Sequence, residues 1–223
     1  MDEIKNYFSK GILFQTFEAK RNIFIWKKIA DEYNFLSRQN EEVVALYSFV
    51  QKSAWTNVVL HTAKIYDKPS KKYPTICILS FLELIKNKAN AFPEIIETPS
   101  TIKTLKSFET SQTLIDAVKS LDLSSFPLEF YNYYKAKYDS PDIQTKIDTL
   151  KFTRDKIIAH NEALQKESET TFQIVSDLLV FAEEIISVFA MAYLDGTIYR
   201  VELDAERNAY FITANINSLK KIT

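Results

Sequence analysis

The sequence predicts an all-α fold with a short C-terminal β-hairpin or extension, and three observations carry that reading. Apolar residues recur at helical spacing to about residue 195. The chain holds only 2 glycines in 223 residues, which favours long helices over turn-rich architectures. After Gly196 the composition shifts to β-formers, with Thr197–Leu203 and Ala209–Ile216 flanking the polar stretch Asp204-Ala205-Glu206-Arg207-Asn208. The chain therefore divides into a helical domain, residues 1–195, and an extension, residues 196–223.

The elements follow in order. A first long helix is expected from about Thr16 to Arg38, with Phe17, Ile23, Phe24, Trp26, Ile29 and Tyr33 on its apolar side. Asn40 is an N-cap candidate, and Glu41 and Glu42 suit the positive end of the second helix, which reaches about Tyr66. Asp67-Lys68-Pro69-Ser70 ends it. A mostly apolar helix from about Thr75 to Asn87 comes next, and then a Pro-interrupted region with one amphipathic piece from Ile102 to Leu121. The aromatic stretch Phe126, Phe130, Tyr131, Tyr133, Tyr134 and Tyr138 suits helix packing or a dimer surface, though aromatics among lysines also stack on unpaired bases. Ser140-Pro141-Asp142 is a helix start: capping hydroxyl, proline at the first position, then an acid. The last long helix, about Thr171 to Leu194, closes at Gly196.

Composition excludes several classes. Hydrophobic residues make up 46% and charged residues 26%, which is neither a disordered nor a membrane composition. No apolar run approaches the ~20 residues of a membrane span, and Met1-Asp2-Glu3-Ile4-Lys5 lacks the basic-then-apolar order of a secretory signal. The single cysteine, Cys77, has no disulfide partner and reads as a small core residue, so a cytoplasmic location is expected. Two isolated glycines cannot build a Rossmann or P-loop phosphate cradle, and neither His-x-x-x-His nor Glu-x-x-His spacing occurs. The expectation is no cofactor and no metal. A net charge of −1 argues against broad coating of nucleic acid but permits a few local cations at one phosphate. The densest basic cluster, Lys64, Lys68, Lys71 and Lys72, reads as solvated surface.

One position breaks the pattern. The inward stripe of the Ser140-capped helix runs Ile143, Ile147, Leu150, Arg154, then Ile157 and Ile158. At about 100° per residue, Arg154 falls within about 30° of the stripe's centre. A guanidinium aimed inward must be paired, or it costs several kcal/mol. A phosphate-handling site is one explanation, and a structural pair with a buried carboxylate is another. His160 follows six positions later, about 240° around and ~9 Å along a straight helix, so spacing alone does not bring the two together. They converge if the helix loosens near Ala159 or if two subunits meet at a symmetry axis. The other histidine, His61, lies beside an apolar stripe and reads as a satisfied core residue before a catalytic partner.

An arginine, a polar residue and then a histidine on the penultimate long helix of an all-α domain resembles the HEPN superfamily. Arg154, Asp155 and His160 match that motif. A second stretch, Ser53 to Pro69, is similar to the helix of AbiU-like abortive-infection proteins that ends in an Arg-Leu-x-Asp-Pro pattern. Lys64 stands where that branch has arginine, Lys68 intervenes between Asp67 and Pro69, Asn57 replaces a common acid, and Asn161-Glu162 follows the histidine in place of a basic residue and an acid. The resemblance spans roughly residues 20–195.

The resemblance implies a HEPN-like helical bundle and metal-independent RNA cleavage, in which a 2′-hydroxyl attacks the adjacent phosphate and leaves a cyclic phosphate. The implied catalytic residues are Arg154, His160 and Asp155, with Lys64 and Asn161 as substrate contacts. His160 suits proton transfer near neutral pH, and Arg154 suits a developing phosphate charge. Implied partners are RNA (transfer RNA among the candidates), a second copy of the chain, and an antitoxin or regulatory protein; no membrane is involved. Phage defence, or the toxin role in a toxin–antitoxin pair, is the implied setting. The competing expectation is a non-catalytic HEPN scaffold that binds a partner protein or nucleotide. A weaker one is a regulatory subunit whose C-terminal hairpin augments a partner's sheet.

Overall fold

The computed structural model describes residues 1–69, 75–120, 122, 124–159, 172–194 and 201–222, with backbone alone at 157–159, 201–203 and 222. Among the described residues every regular element is helical. These are α1 (Asp2–Tyr7), a π-helical turn (Phe8–Leu13), α2 (Phe14–Asp31), α3 (Tyr33–Leu36), α4 (Glu41–Ile65), α5 (Ile78–Asn87), a 3₁₀ turn (Ala89–Ala91), α6 (Thr98–Ser107), α7 (Gln112–Lys119), α8 (Ser125–Tyr138), α9 (Pro141–Ala159), α10 (Phe172–Tyr193) and α11 (Val201–Ile222).

Local chemistry accounts for the boundaries. Asn40 Oδ1 accepts the Val43 N–H at 3.0 Å and starts α4 where the sequence places a cap. Ser140 Oγ accepts the Ile143 N–H at 3.4 Å, with Pro141 in the first position of α9. The expected Thr16–Arg38 helix ends earlier, because Glu32 leaves the helical region at φ −96° and ψ 10°, and α3 follows as a separate turn. The expected Ile102–Leu121 helix is broken in two: Glu109 adopts φ 53°, and Ser111 caps a fresh start for α7. The π-helical turn runs past Gly11, where Ile76 packs so closely that an added Cβ would stand 1.9 Å from its Cγ2. Glycine is required there by space, not by backbone angle.

The core is built around α10, buried along most of its length. Phe189 is its centre, with its ring 4.9 Å from Phe81, 5.4 Å from Phe8 and 5.6 Å from Tyr193, centroid to centroid. α2 and α4 pair along their length, and α9 packs against both α4 and α10. This arrangement puts the last turns of α9 beside the end of α4.

The C-terminal β-hairpin is not there: residues 201–222 form one helix, α11, which packs against α2. The buried residues Ala205, Ala209, Ile212 and Ile216 recur at intervals of four, three and four, a helical period. Ala209, Ile212 and Ile216 meet Ile25 and Ile29 of α2 in a second apolar cluster. The stretch Asp204–Asn208, expected as a turn, lies inside the helix, where Asn208 Nδ2 donates to the Asp204 carbonyl at 2.8 Å. Isoleucine and threonine carry β propensity, but burial against α2 overrides it. Strand addition through this segment is thereby withdrawn. Gly196 lies outside the described residues. Among the described residues no helix is long and apolar enough to cross a membrane.

Candidate functional site

The site grows from the place where the inward stripe of α9 changes character. Ile143, Ile147 and Leu150 are buried as the period requires, and so is Thr153. The next inward position is Arg154, whose side chain retains 22% exposure. Opposite it, α4 ends with Ile65 and Tyr66 fully buried. The Tyr66 hydroxyl donates to the Leu178 carbonyl at 2.5 Å and fixes the end of α4 onto α10. Tyr66 itself leaves the helix at φ −109° and ψ 11°, and the following residue, Asp67, is delivered to α9.

Arg154 Nη1 donates to Asp67 Oδ1 at 2.5 Å, while Nε and Nη2 lie 2.9 Å from Asp155 Oδ1. The guanidinium is thus held between two carboxylates, one local and one from the segment that follows α4. Burial works against its charge, but Asp155 and Asp67 outweigh that and raise its pKa further. Asp67 is 26% exposed and Asp155 65%, so the assembly opens to solvent. A planar cation clamped at a solvent-accessible edge is a suitable seat for a phosphate.

Of the residues expected from sequence, the structure brings Arg154 and Asp155 together. Lys64 lies exposed on the last turn of α4, where its charge acts on His61. His160 and Asn161 lie outside the described residues. His61 faces α2, with Nδ1 2.7 Å from Gln15 Oε1. Its pKa falls to about 4 through burial, then through Lys64 and Arg21, so it is neutral at pH 7. Asn57 also belongs to the α2 seam, donating to Asn22 Oδ1 at 3.4 Å. Asp67 was not singled out as a site residue, although it stands in the Lys64-to-Pro69 stretch. The signal was available: an inward arginine demands a carboxylate, and Asp67 closes the neighbouring helix. A half-open cavity of about 310 Å³ lies elsewhere, bounded by Ile95, Ala117, Phe126 and Tyr193, with no lining residue from α4 or α9.

A family model described as AbiU2, of the HEPN class, matches residues 1–212. No curated protein and no solved structure gives a significant match.

Proposed function

The chain belongs to the AbiU2 family of HEPN proteins, and from that premise we propose that it is a metal-independent endoribonuclease of phage defence, or the toxin of a toxin–antitoxin pair. The observation that carries the reading is the Arg154 guanidinium, placed where the core stripe calls for an apolar residue, paired with Asp67 and Asp155 and still partly exposed to solvent. Arg154 binds the scissile phosphate and stabilises the charge that develops on it. His160 takes the 2′-hydroxyl proton as that oxygen bonds to phosphorus; the bond to the 5′-oxygen breaks and that oxygen takes up a proton from the second motif of the dimer or from water, leaving a cyclic phosphate and a 5′-hydroxyl. Asp155 and Asp67 hold the guanidinium in place, and Lys64 and Asn161 contact the flanking RNA. Residues 1–195 carry the reaction and residues 196–223 extend that body. The working form is a cytoplasmic homodimer that joins two such motifs.

Purified protein incubated with transfer RNA in EDTA should cut it, and either Arg154→Ala or His160→Ala should lower the rate by at least 10²-fold, about the worth of one general base or phosphate-binding group. Cleavage equal to wild type in both variants removes the assignment. The second reading, a non-catalytic scaffold, draws support from the net charge of −1 and from the carboxylates already on the guanidinium. Expression in a bacterial host separates the two: a nuclease is toxic until His160 is changed, and a scaffold is harmless in both forms.

A further inference from the structure

Lys151 stands one helical turn before Arg154 on α9, about 60° around the helix from it. Its side chain is half-buried, yet among the described residues neither a hydrogen bond nor a close ion pair reaches its ammonium. Lys146, on the same helix, is bracketed by Asp142 at 2.8 Å and Asp177 at 2.9 Å. The charges around Lys151 are Lys68 and Asp67 from the end of α4, with Arg154 and Asp148 from its own helix. Burial lowers its pKa first; Lys68 and Arg154 lower it further, and Asp67 and Asp148 do not restore it. Burial disfavours the charged form of an ammonium placed this way, a condition that chains retain where activity uses the charge.

The arginine beside it is partly committed. A guanidinium has five N–H donors, and in Arg154 one each on Nε, Nη1 and Nη2 is directed at a carboxylate. Among the described residues, one donor on each Nη remains. Two N–H groups and an ammonium one helical turn away suit the oxygens of a tetrahedral phosphodiester, whose negative charge supplies the close counter-ion that no described residue gives Lys151. We propose that Lys151 is a second phosphate-binding cation of the Arg154 site, seating the same RNA phosphodiester one turn along α9. The inference rests on the RNA-cleaving reading above.

The test uses the full chain and a fluorescent 2′-O-methyl oligoribonucleotide, which binds but cannot be cut by 2′-hydroxyl attack. Anisotropy is followed across a salt series. Lys151→Met keeps the aliphatic stem and should weaken binding about fivefold at ~0.1 M salt, with the slope of log affinity against log salt reduced by about 0.7, the value for one lost phosphate contact on a single strand. Lys151→Arg should retain most of the affinity. Melting of Lys151→Met should occur at or above the wild-type temperature, because a repelled ammonium has been removed. Unchanged affinity and slope overturn the proposal. So does an equal loss from Lys103→Met on α6, which marks a diffuse charge effect, and so does lost affinity with a lowered melting point in both Lys151 variants, which marks a structural lysine. Ordinary RNA reads the cleavage step separately. If wild type leaves it uncut while oligonucleotide binding still depends on Lys151, the nuclease reading fails and the phosphate seat stands. If wild type and Lys151→Met cut it alike, only the seat fails.

Discussion

α9 and α10 pack side by side and serve opposite purposes. α10 gives most of its length to the interior, with Val175, Leu178, Ala182, Ile185 and Phe189 all fully buried. Its one buried charge, Glu184, is 3% exposed and is met by Lys137 at 2.6 Å. α9 gives the interior a single stripe, and that stripe passes from Leu150 to Arg154 and opens to solvent. The lesson is that two neighbouring helices can divide burial and solvent-facing charge between them. One is packed so that the other can end on charges that its own packing does not require.

The largest expected effect tests the stabilising half. Phe189→Ala empties the centre of an aromatic cluster that includes Phe8, Phe81 and Tyr193. It should cost about 3–5 kcal/mol in urea unfolding, as large core truncations do. A loss under about 1 kcal/mol would show that α10 is not the keystone. Glu184→Ala should cost less, about 1–3 kcal/mol. It strands Lys137, but that side chain is 35% exposed and can turn its ammonium to water.

Acid extends the comparison to α4. With His61 lowered to about 4 in the folded protein, the unfolded chain takes up a proton first as pH falls below the ordinary 6.5. Stability from this group is therefore complete above pH 6.5 and lost progressively toward pH 4. Glu184 runs the other way. Burial raises its pKa against the pull of Lys137, so the folded state holds the proton longer, and stability falls as pH rises past 4.5. Melting temperature should decline between pH 6.5 and 4 in wild type and decline less in His61→Gln. The His61 resonance should titrate near pH 4 by NMR. A midpoint at 6.5 would detach His61 from the seam with Gln15.

What the sequence could disclose follows the same division. Ile143, Ile147 and Leu150 declared a buried face because one period explains them, and Arg154 stood out because it violates that period. Asn40 and Ser140 announced helix starts because a capping oxygen acts within three residues. Information beyond a single helix was harder to read. Whether Asp67 meets Arg154 depends on how α4 and α9 cross, and no local pattern states that. The break at Glu109 depends on a left-handed residue that is neither glycine nor asparagine. In α11, residue preference and period disagreed. Ile212, Thr213 and Ile216 favour strands by type, while Ala205, Ala209, Ile212 and Ile216 favour a helix by spacing. Burial against α2 decided for spacing, which was the better guide because it reports which face meets a neighbour.

The smallest effect on stability should come from the Arg154–Asp67 pair of the proposed site. Asp67→Ala removes one carboxylate from a guanidinium that keeps a second, in a pair whose members are 22% and 26% exposed. Such pairs contribute at most about 1 kcal/mol, and the freed nitrogen can be hydrated. Unfolding should therefore shift little, even though the Arg154–Asp67 contact ties the segment after α4 to α9. On the proposed nuclease reading, cleavage should respond differently, with Asp67 aiming Arg154 and not touching the substrate. A guanidinium displaced by about 1 Å costs on the order of 10²-fold in rate. The loss should appear in kcat more than in KM if the proposed contacts at Lys151 and Lys64 hold the RNA. Asp67→Asn keeps an acceptor oxygen at the same place and should recover part of the rate. If Asp67→Ala instead lowers stability by more than about 3 kcal/mol, the end of α9 is a structural joint like α10, and the contrast between the two helices fails.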